Sequence, residues 1–220
     1  MSTTLKSVLE RVVGTLNDNA SDTWTLQDLV RYANDGARDM HTLRPDLFNV
    51  EQELALVAGT RQTLPTRGSK LISITHNTVG DMRAVTLVQR VMLDAQYPGW
   101  RRAFPEIEVE HYMYDERQPK VFEVYPPARV GAKLQVEFAL IPVDMPIPAD
   151  NTPLASISGD INVPDLQATT LQHYICSRCY AEGSEDGHLV LAKTFLSLFA
   201  SDLGVEIAAT KAVAPTATSP

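Results

Sequence analysis

The chain has 220 residues, of which 44% are apolar, and a formal net charge of −8 at pH 7. This acidity argues against tight binding to a nucleic-acid backbone, because displacing the counterions of DNA requires clustered Lys and Arg. No run of about 18 apolar residues could span a bilayer, and the first residues lack the pattern of a signal peptide. We therefore expect a soluble protein of one large or two small domains, made in a cytoplasm.

Residues 1–48 are predicted to form an N-terminal helical hairpin. Apolar residues recur every three or four positions from Leu5 to Leu16, which indicates a first amphipathic helix. A second helix is predicted to begin after Thr25, placed as N-cap, with Asp28 in its first turn. Gly36 inside this helix costs roughly 1 kcal/mol relative to Ala, and either close approach of another backbone or simple tolerance explains it.

Residues 49–142 are predicted to form an inserted antiparallel β-domain, because the apolar period changes from helical spacing to alternation. Its first strands are predicted near 50–57, 61–64 and 69–78. Between Ile107 and Ile141 the alternation continues across two turn signals. We expect three consecutive antiparallel strands here, forming one sheet whose apolar face is covered by another part of the chain.

The last third of the chain returns to a helical pattern. Three prolines, with Pro142 just before them, make 143–162 a stiff, poorly folding connector, and residues 163–204 are predicted to form a C-terminal helical hairpin that begins with Pro164. Residues 205–220 cannot bury enough apolar surface to fold, so we expect an extended C-terminal arm lying along another chain. The predicted fold class is α+β: a four-helix bundle of two N-terminal and two C-terminal helices, with the β insertion and the arm.

The sharpest chemical hint is the three-residue spacing of His173, Cys176 and Cys179 on one predicted helix. Thiolate and imidazole are ligands that zinc prefers, but a structural site requires four ligands and the chain has no second cysteine pair. A redox role would require a cysteine at a helix N-terminus. The alternative is that the cysteines pack one helix against another. We predict no metal and no cofactor.

No catalytic set is predicted either, so we expect a protein that is not an enzyme. The remaining histidines are scattered: His41, His76, His111 and His188. Glu106, Glu108 and Glu110 are predicted to share one strand face, which is typical of a solvated surface rather than an acid–base pair. The arginines that could meet this acidic face, in this chain or a neighbouring one, are Arg83, Arg90, Arg101 and Arg102.

An alternative function is the binding of a small ligand or carbohydrate by a soluble β-domain. Four aromatic residues that could form such a site lie near one predicted sheet: Trp100, Tyr112, Tyr114 and Tyr125. Side chains that are exposed would favour this hypothesis, whereas side chains buried in the monomer would exclude it.

The order of five segments resembles a known family. The segments are WTLQDLVRYANDG (24–36), LRPDLF (43–48), PGWR (98–101), PKVFEVYPP (119–127) and YICSRCYAE (174–182). In this order and spacing, the chain resembles the head-to-tail adaptor proteins of short-tailed bacteriophages, also called tail tubular protein A or head-completion proteins. The resemblance covers most of residues 5–204.

The resemblance implies a structural protein of the virion neck, assembled in the host cytoplasm. It implies a homo-oligomeric ring, in that family a dodecamer, between the portal protein and the tail nozzle or tubular protein. DNA would pass through the lumen without specific binding, which suits an acidic wall that repels phosphates. Family members attach to the portal through a C-terminal arm, and the expected partner-binding residues are Arg117, Glu206, Ile207, Lys211, Val213 and Pro215.

Overall fold

The fold is α+β, as predicted, and its elements fall into two units. The computed structural model describes residues 3–17, 23–150, 152–182 and 186–205. The helical unit comprises the described parts of Met1–Arg44 and Pro142–Pro220, and the β unit is the continuous segment Pro45–Ile141.

The helical unit contains the four longest helices of the described chain. They are α1 (Leu5–Leu16), α2 (Leu26–Leu43), α4 (Ala168–Glu182) and α5 (Asp186–Asp202). Helices α1, α2 and α5 each pack on α4. Thr25 caps α2 as predicted, because its hydroxyl oxygen accepts a hydrogen bond from the Asp28 amide at 3.2 Å.

Helix α4 is buried on several sides because three helices contact it. Leu171, Ile175 and Cys179 are fully buried, and Tyr174 is nearly so. Arg178, on the same helix, is exposed. Its guanidinium lies 5.7 Å from the centre of the Tyr32 ring, within the range of a cation–π contact.

Gly36 of α2 marks close packing on α4, by side chains rather than by a backbone. A Cβ at this position would lie 2.8 Å from Cδ1 of Tyr174 and 3.0 Å from Cδ1 of Leu171. The Tyr174 hydroxyl donates to Asp39 at 2.7 Å, which fixes the ring in place. The glycine is therefore required for packing and is not merely tolerated.

The proline-rich connector is ordered along α2, which the sequence did not predict. Asn34 of α2 is buried, and its side chain accepts a bond from the Met145 amide at 2.8 Å and donates to the Met145 carbonyl at 2.9 Å. Gln27 donates to the Pro148 carbonyl at 3.1 Å. The Leu5 amide, at the start of α1, donates to the Gly159 carbonyl at 3.0 Å. The connector is therefore part of the helical unit.

The β unit contains seven strands and one short helix. In chain order they are β1 (Asn49–Ala55), β2 (Gly59–Thr63), β3 (Gly68–Asn77), β4 (Thr86–Leu87), α3 (Arg90–Gln96), β5 (His111–Tyr114), β6 (Val121–Ala128) and β7 (Lys133–Leu140). One sheet has the order β1-β7-β3 and the other the order β2-β6-β5-β4. All pairs are antiparallel except β4–β5, which is parallel, so the predicted purely antiparallel domain is corrected to a mixed one.

The two sheets share one hydrophobic core. Phe122 and Val124 of β6 are buried in the same cluster as Val136 and Phe138 of β7. The prediction that β5, β6 and β7 form one sheet is therefore wrong, because β7 pairs with β1 and β3. Each strand has one apolar face, and placing β6 and β7 in opposite sheets lets those faces cover each other.

A buried asparagine explains why the predicted strand from Ile107 is shorter than expected. Asn77 is fully buried, and its Oδ1 accepts from the Val109 amide while its Nδ2 donates to the Val109 carbonyl, both at 2.8 Å. Val109 thus bonds to a side chain instead of a strand, while Glu106 and Glu110 on either side of it donate to carbonyls of β6.

Candidate interaction surfaces

The predicted zinc-ligand candidates do not converge on one point. Cys176 and Cys179 are fully buried within α4, and burial raises the pKa of the Cys176 thiol to about 12. His173 instead pairs with Asp202 of α5, with 2.8 Å between Nδ1 and Oδ2. Within the described ranges, no three His, Cys, Asp or Glu side chains are grouped as metal ligands. The cysteines are core residues, which leaves packing as their role.

The acidic residues before β5 do not form the predicted strand face, because that segment is held by Asn77. Glu108 pairs with Arg83, with 3.7 Å between the charged atoms. Glu123 of β6, which the sequence did not single out, pairs with Arg90 at 2.7 Å and with Arg101 at 3.6 Å. Arg83, Arg90 and Arg101 therefore meet carboxylates within this chain, and the last two join α3 and the turn after it to β6.

The aromatic residues near this sheet are largely used in packing. Trp100 is 1% exposed and donates from Nε1 to Asp94 at 2.8 Å. Tyr112 is buried as well, and the half-buried Tyr114 donates its hydroxyl to the Pro119 carbonyl at 3.2 Å. Tyr125 is half-buried and its ring is stacked with that of Tyr97. An aromatic platform built from the four predicted residues is therefore not exposed to a ligand.

One stretch of the β unit instead exposes several large apolar side chains, which we call the α3 surface. Its members and their exposed fractions are Leu87 (62%), Val91 (76%), Met92 (56%), Tyr97 (57%) and Phe104 (83%). Concentrations of exposed apolar side chains typically mark interaction sites. The sequence contains a sign of this exposure, because Val91, Met92 and Leu93 are consecutive and a short helix with one buried face cannot bury all three. Of the three, Leu93 is the buried one.

The helical unit has an exposed apolar face on α5. Phe199 and Leu203 are buried, whereas Leu191 and Leu198 are 41% and 40% exposed. Helix α5 packs mainly on α4, and a helix with one neighbour buries only a narrow face. A shallow open groove on the outer face is lined by Val190, Lys193, Thr194, Ser197 and Leu198.

Of the predicted partner-binding residues, Arg117 lies in the described part of the chain. It occupies the loop between β5 and β6, its side chain is 90% exposed, and its Nε lies 3.1 Å from Asp115 Oδ1. This ion pair lowers the pKa of the Asp115 carboxyl. The other predicted residues lie outside the described residues: Glu206, Ile207, Lys211, Val213 and Pro215.

A family model described as SU10 adaptor protein matches residues 3–220. The chain belongs to the SU10 adaptor protein family. The predicted resemblance to phage head-to-tail adaptors is thereby confirmed, and membership supports a structural rather than an enzymatic role for this adaptor. A comparison with individual characterised proteins finds no match. None of the helices in the described ranges is long and apolar enough to cross a membrane.

Proposed function

We propose that this adaptor forms a ring in the virion neck, between the portal protein and the tail nozzle of a short-tailed phage. The observation that carries the proposal is the family match, which extends over residues 3–220 and therefore over both units. In this proposal the subunits assemble in the host cytoplasm as a dodecamer, and genomic DNA passes through the lumen during ejection. The net charge of −8 per subunit is compatible with a wall that does not retain phosphates.

The distribution of exposed apolar side chains supports an assembling role. The β unit exposes the α3 surface, and the helical unit exposes the outer face of α5. A ring subunit that joins two further components requires several contact surfaces, since each stable interface buries on the order of 800 Å² per partner. We propose that the four long helices act as one bundle and that Pro45–Ile141 is its inserted domain.

The proposed portal attachment is through the C-terminal arm, residues 205–220. The arm combines small side chains with Ile207 and Val213 as apolar contacts and Glu206 and Lys211 as charged ones. An extended segment of this kind can bind in a groove without a folded core of its own, at the cost of ordering it on binding.

The experiment that tests this function mixes the full chain with purified portal protein from the same phage and measures the mass of the complex by native mass spectrometry. We expect a ring-sized addition to the portal, and loss of that addition when residues 206–220 are deleted. The control is the deleted chain alone, whose circular dichroism should match the full chain. Absence of both a ring-sized complex and portal binding for the full chain would contradict the proposal.

A further inference from the structure

The α3 surface has a basic rim. Arg90 and Arg101 flank it and are about half exposed, at 48% and 45%, although both share carboxylates of the same chain. Arg102 is exposed and forms no ion pair with any described residue. An apolar patch with cationic side chains at its edge fits a partner surface that carries carboxylates.

The outer face of the β1-β7-β3 sheet carries an unfavourable pair of carboxylates. In the antiparallel register, Glu51 of β1 lies directly opposite Glu137 of β7. Like charges in directly opposed positions repel each other and destabilise the pair of strands. Glu137 accepts hydrogen bonds from Asn49 at 2.6 Å and Ser73 at 2.9 Å. Glu51 is exposed, and its side chain has no hydrogen bond or ion pair within the described ranges.

The two faces complement each other in charge and in apolar content. Among the described residues, Arg102 has no carboxylate partner and the Glu51 side chain has no cationic partner. Ile72, in the irregular part of β3 next to Ser73, is 38% exposed and supplies apolar area beside the carboxylates. A guanidinium placed over two carboxylates would remove their mutual repulsion and gain charge-assisted hydrogen bonds.

We propose that the α3 surface of one copy packs on the outer face of the β1-β7-β3 sheet of a second copy, with Arg102 bound between Glu51 and Glu137. Each copy then uses two different faces, so the contact is head-to-tail and repeats around a ring. This inference rests on the proposed ring function and assigns the surfaces that join neighbouring subunits.

A cysteine-pair experiment tests the geometry directly. The full chain carrying Arg102→Cys and Glu51→Cys is concentrated, alone and with portal protein, and then oxidised. We expect a ladder of covalent oligomers on a non-reducing gel, because each copy presents one new thiol on each face. The native Cys176 and Cys179 are fully buried and do not compete. The control pairs Glu51→Cys with Val130→Cys, which is 79% exposed and outside the α3 surface, and should give no ladder.

A charge swap tests the ion pair. Arg102→Glu and Glu51→Arg should each weaken self-association about tenfold in sedimentation equilibrium, since each brings like charges together. The double variant should restore part of the association, because it re-forms the pair of positions 51 and 102 with reversed charges, while Glu137 still repels the new carboxylate at position 102. Phe104→Ser should also weaken association, and its free energy of unfolding should stay within about 0.5 kcal/mol of wild type because the side chain is exposed.

The outcomes separate this inference from the proposed function. Portal-bound rings that form normally without a ladder, and in spite of Arg102→Glu and Phe104→Ser, would overturn the assigned interface and leave the ring intact. A ladder that stops at dimers would overturn the head-to-tail arrangement. Weaker binding of a purified nozzle protein to Phe104→Ser, with self-association unchanged, would assign the α3 surface to the nozzle and overturn the second-copy proposal.

Discussion

At the scale of single residues, buried carboxamides replace backbone partners in irregular segments. Asn34 bonds to Met145, Asn77 bonds to Val109, and Gln62 accepts from the Val57 amide at 2.9 Å while donating to the Val57 carbonyl at 2.7 Å. A buried peptide group without a hydrogen-bond partner loses the free energy of its hydration. These side-chain amides supply such partners, so the backbone can be irregular at these positions without a large loss of stability.

Asn77→Leu removes both bonds to Val109 while keeping side-chain bulk. We expect the free energy of unfolding to fall by about 2–4 kcal/mol, because a buried amide and a buried carbonyl lose their partners. The free energy of unfolding of both proteins is measured by urea denaturation. The matched control is Asn49→Leu, since Asn49 is exposed and, among the described residues, its side chain bonds only to Glu137, at 2.6 Å. An equal loss in both variants would contradict this account.

The Cys176 thiol makes stability depend on pH above its ordinary pKa. Burial raises that pKa from 9.0 to about 12, so above pH 9 the unfolded chain loses a proton that the native chain keeps. The contribution of the protonated Cys176 thiol to the free energy of unfolding is fully present below pH 9. It declines by about 1.4 kcal/mol per pH unit between pH 9 and pH 12. The pKa of Tyr174 is also raised, first by burial and then by Asp39, with the same sign above pH 10.

The measurement is the free energy of unfolding of wild type and Cys176→Ala at pH 8, 9.5 and 11, with urea as denaturant. The Ala variant should lose the same amount to its cavity at every pH, so the difference between the two proteins should shrink as pH rises. A difference independent of pH would show that the thiol titrates normally in the native state.

At the scale of elements, the helices follow from the sequence and the sheet pairing does not. The three- and four-residue spacing located α1 and α2, and Thr25 located the start of α2. Alternation located most of the strands, but it left open whether Val121 or Phe122 belongs to the inward face of β6. The alternation does not indicate which strands pair, because the apolar face of a strand can be buried equally well by a helix or by a second sheet. The bonds of Asn77 to Val109 are long-range, and no local pattern predicts them.

The packing of α2 on α4 gives an element-scale prediction. Gly36→Ala gains about 1 kcal/mol of helix propensity but forces a methyl group against the Tyr174 ring, which costs about 1–3 kcal/mol. Because the ring is held by Asp39, we expect net destabilisation in thermal unfolding. Gly14→Ala in α1 is the control, since its Cβ would meet nothing within 4 Å, and it should stabilise the protein slightly. Stabilisation by both substitutions would show that the side chains of α4 can shift at little cost to accommodate a methyl group on α2.

At the scale of the whole molecule, the family could be predicted from the order of segments, but its contact surfaces could not. Arg117 was singled out and is indeed exposed, whereas the arm residues lie outside the described residues. The α3 surface was missed because apolar residues on a short helix resemble core residues until their neighbours are known.

Arg117 lies in the loop before β6 and Arg129 directly follows β6, and both are exposed. Arg117→Ala should change the free energy of unfolding by less than about 0.5 kcal/mol, since an exposed ion pair contributes little. If the β5–β6 loop contacts a partner, the variant should bind purified portal or nozzle protein about tenfold more weakly in surface plasmon resonance. Arg129→Ala is the matched control, and equal affinities for both variants would remove Arg117 from the interface.

The insertion of Pro45–Ile141 between two halves of the helical unit has a consequence for biosynthesis. Helices α1 and α2 leave the ribosome early, but α4, on which both pack, begins about 125 residues after α2 ends. At about 5–20 residues per second, translation takes roughly 6–25 s to supply it. The β unit, Pro45–Ile141, can fold during that delay. Until α4 has been synthesised, the apolar faces of α1 and α2 that pack on it remain exposed. Nascent-chain chaperones would therefore meet the N-terminal helices first and release them last.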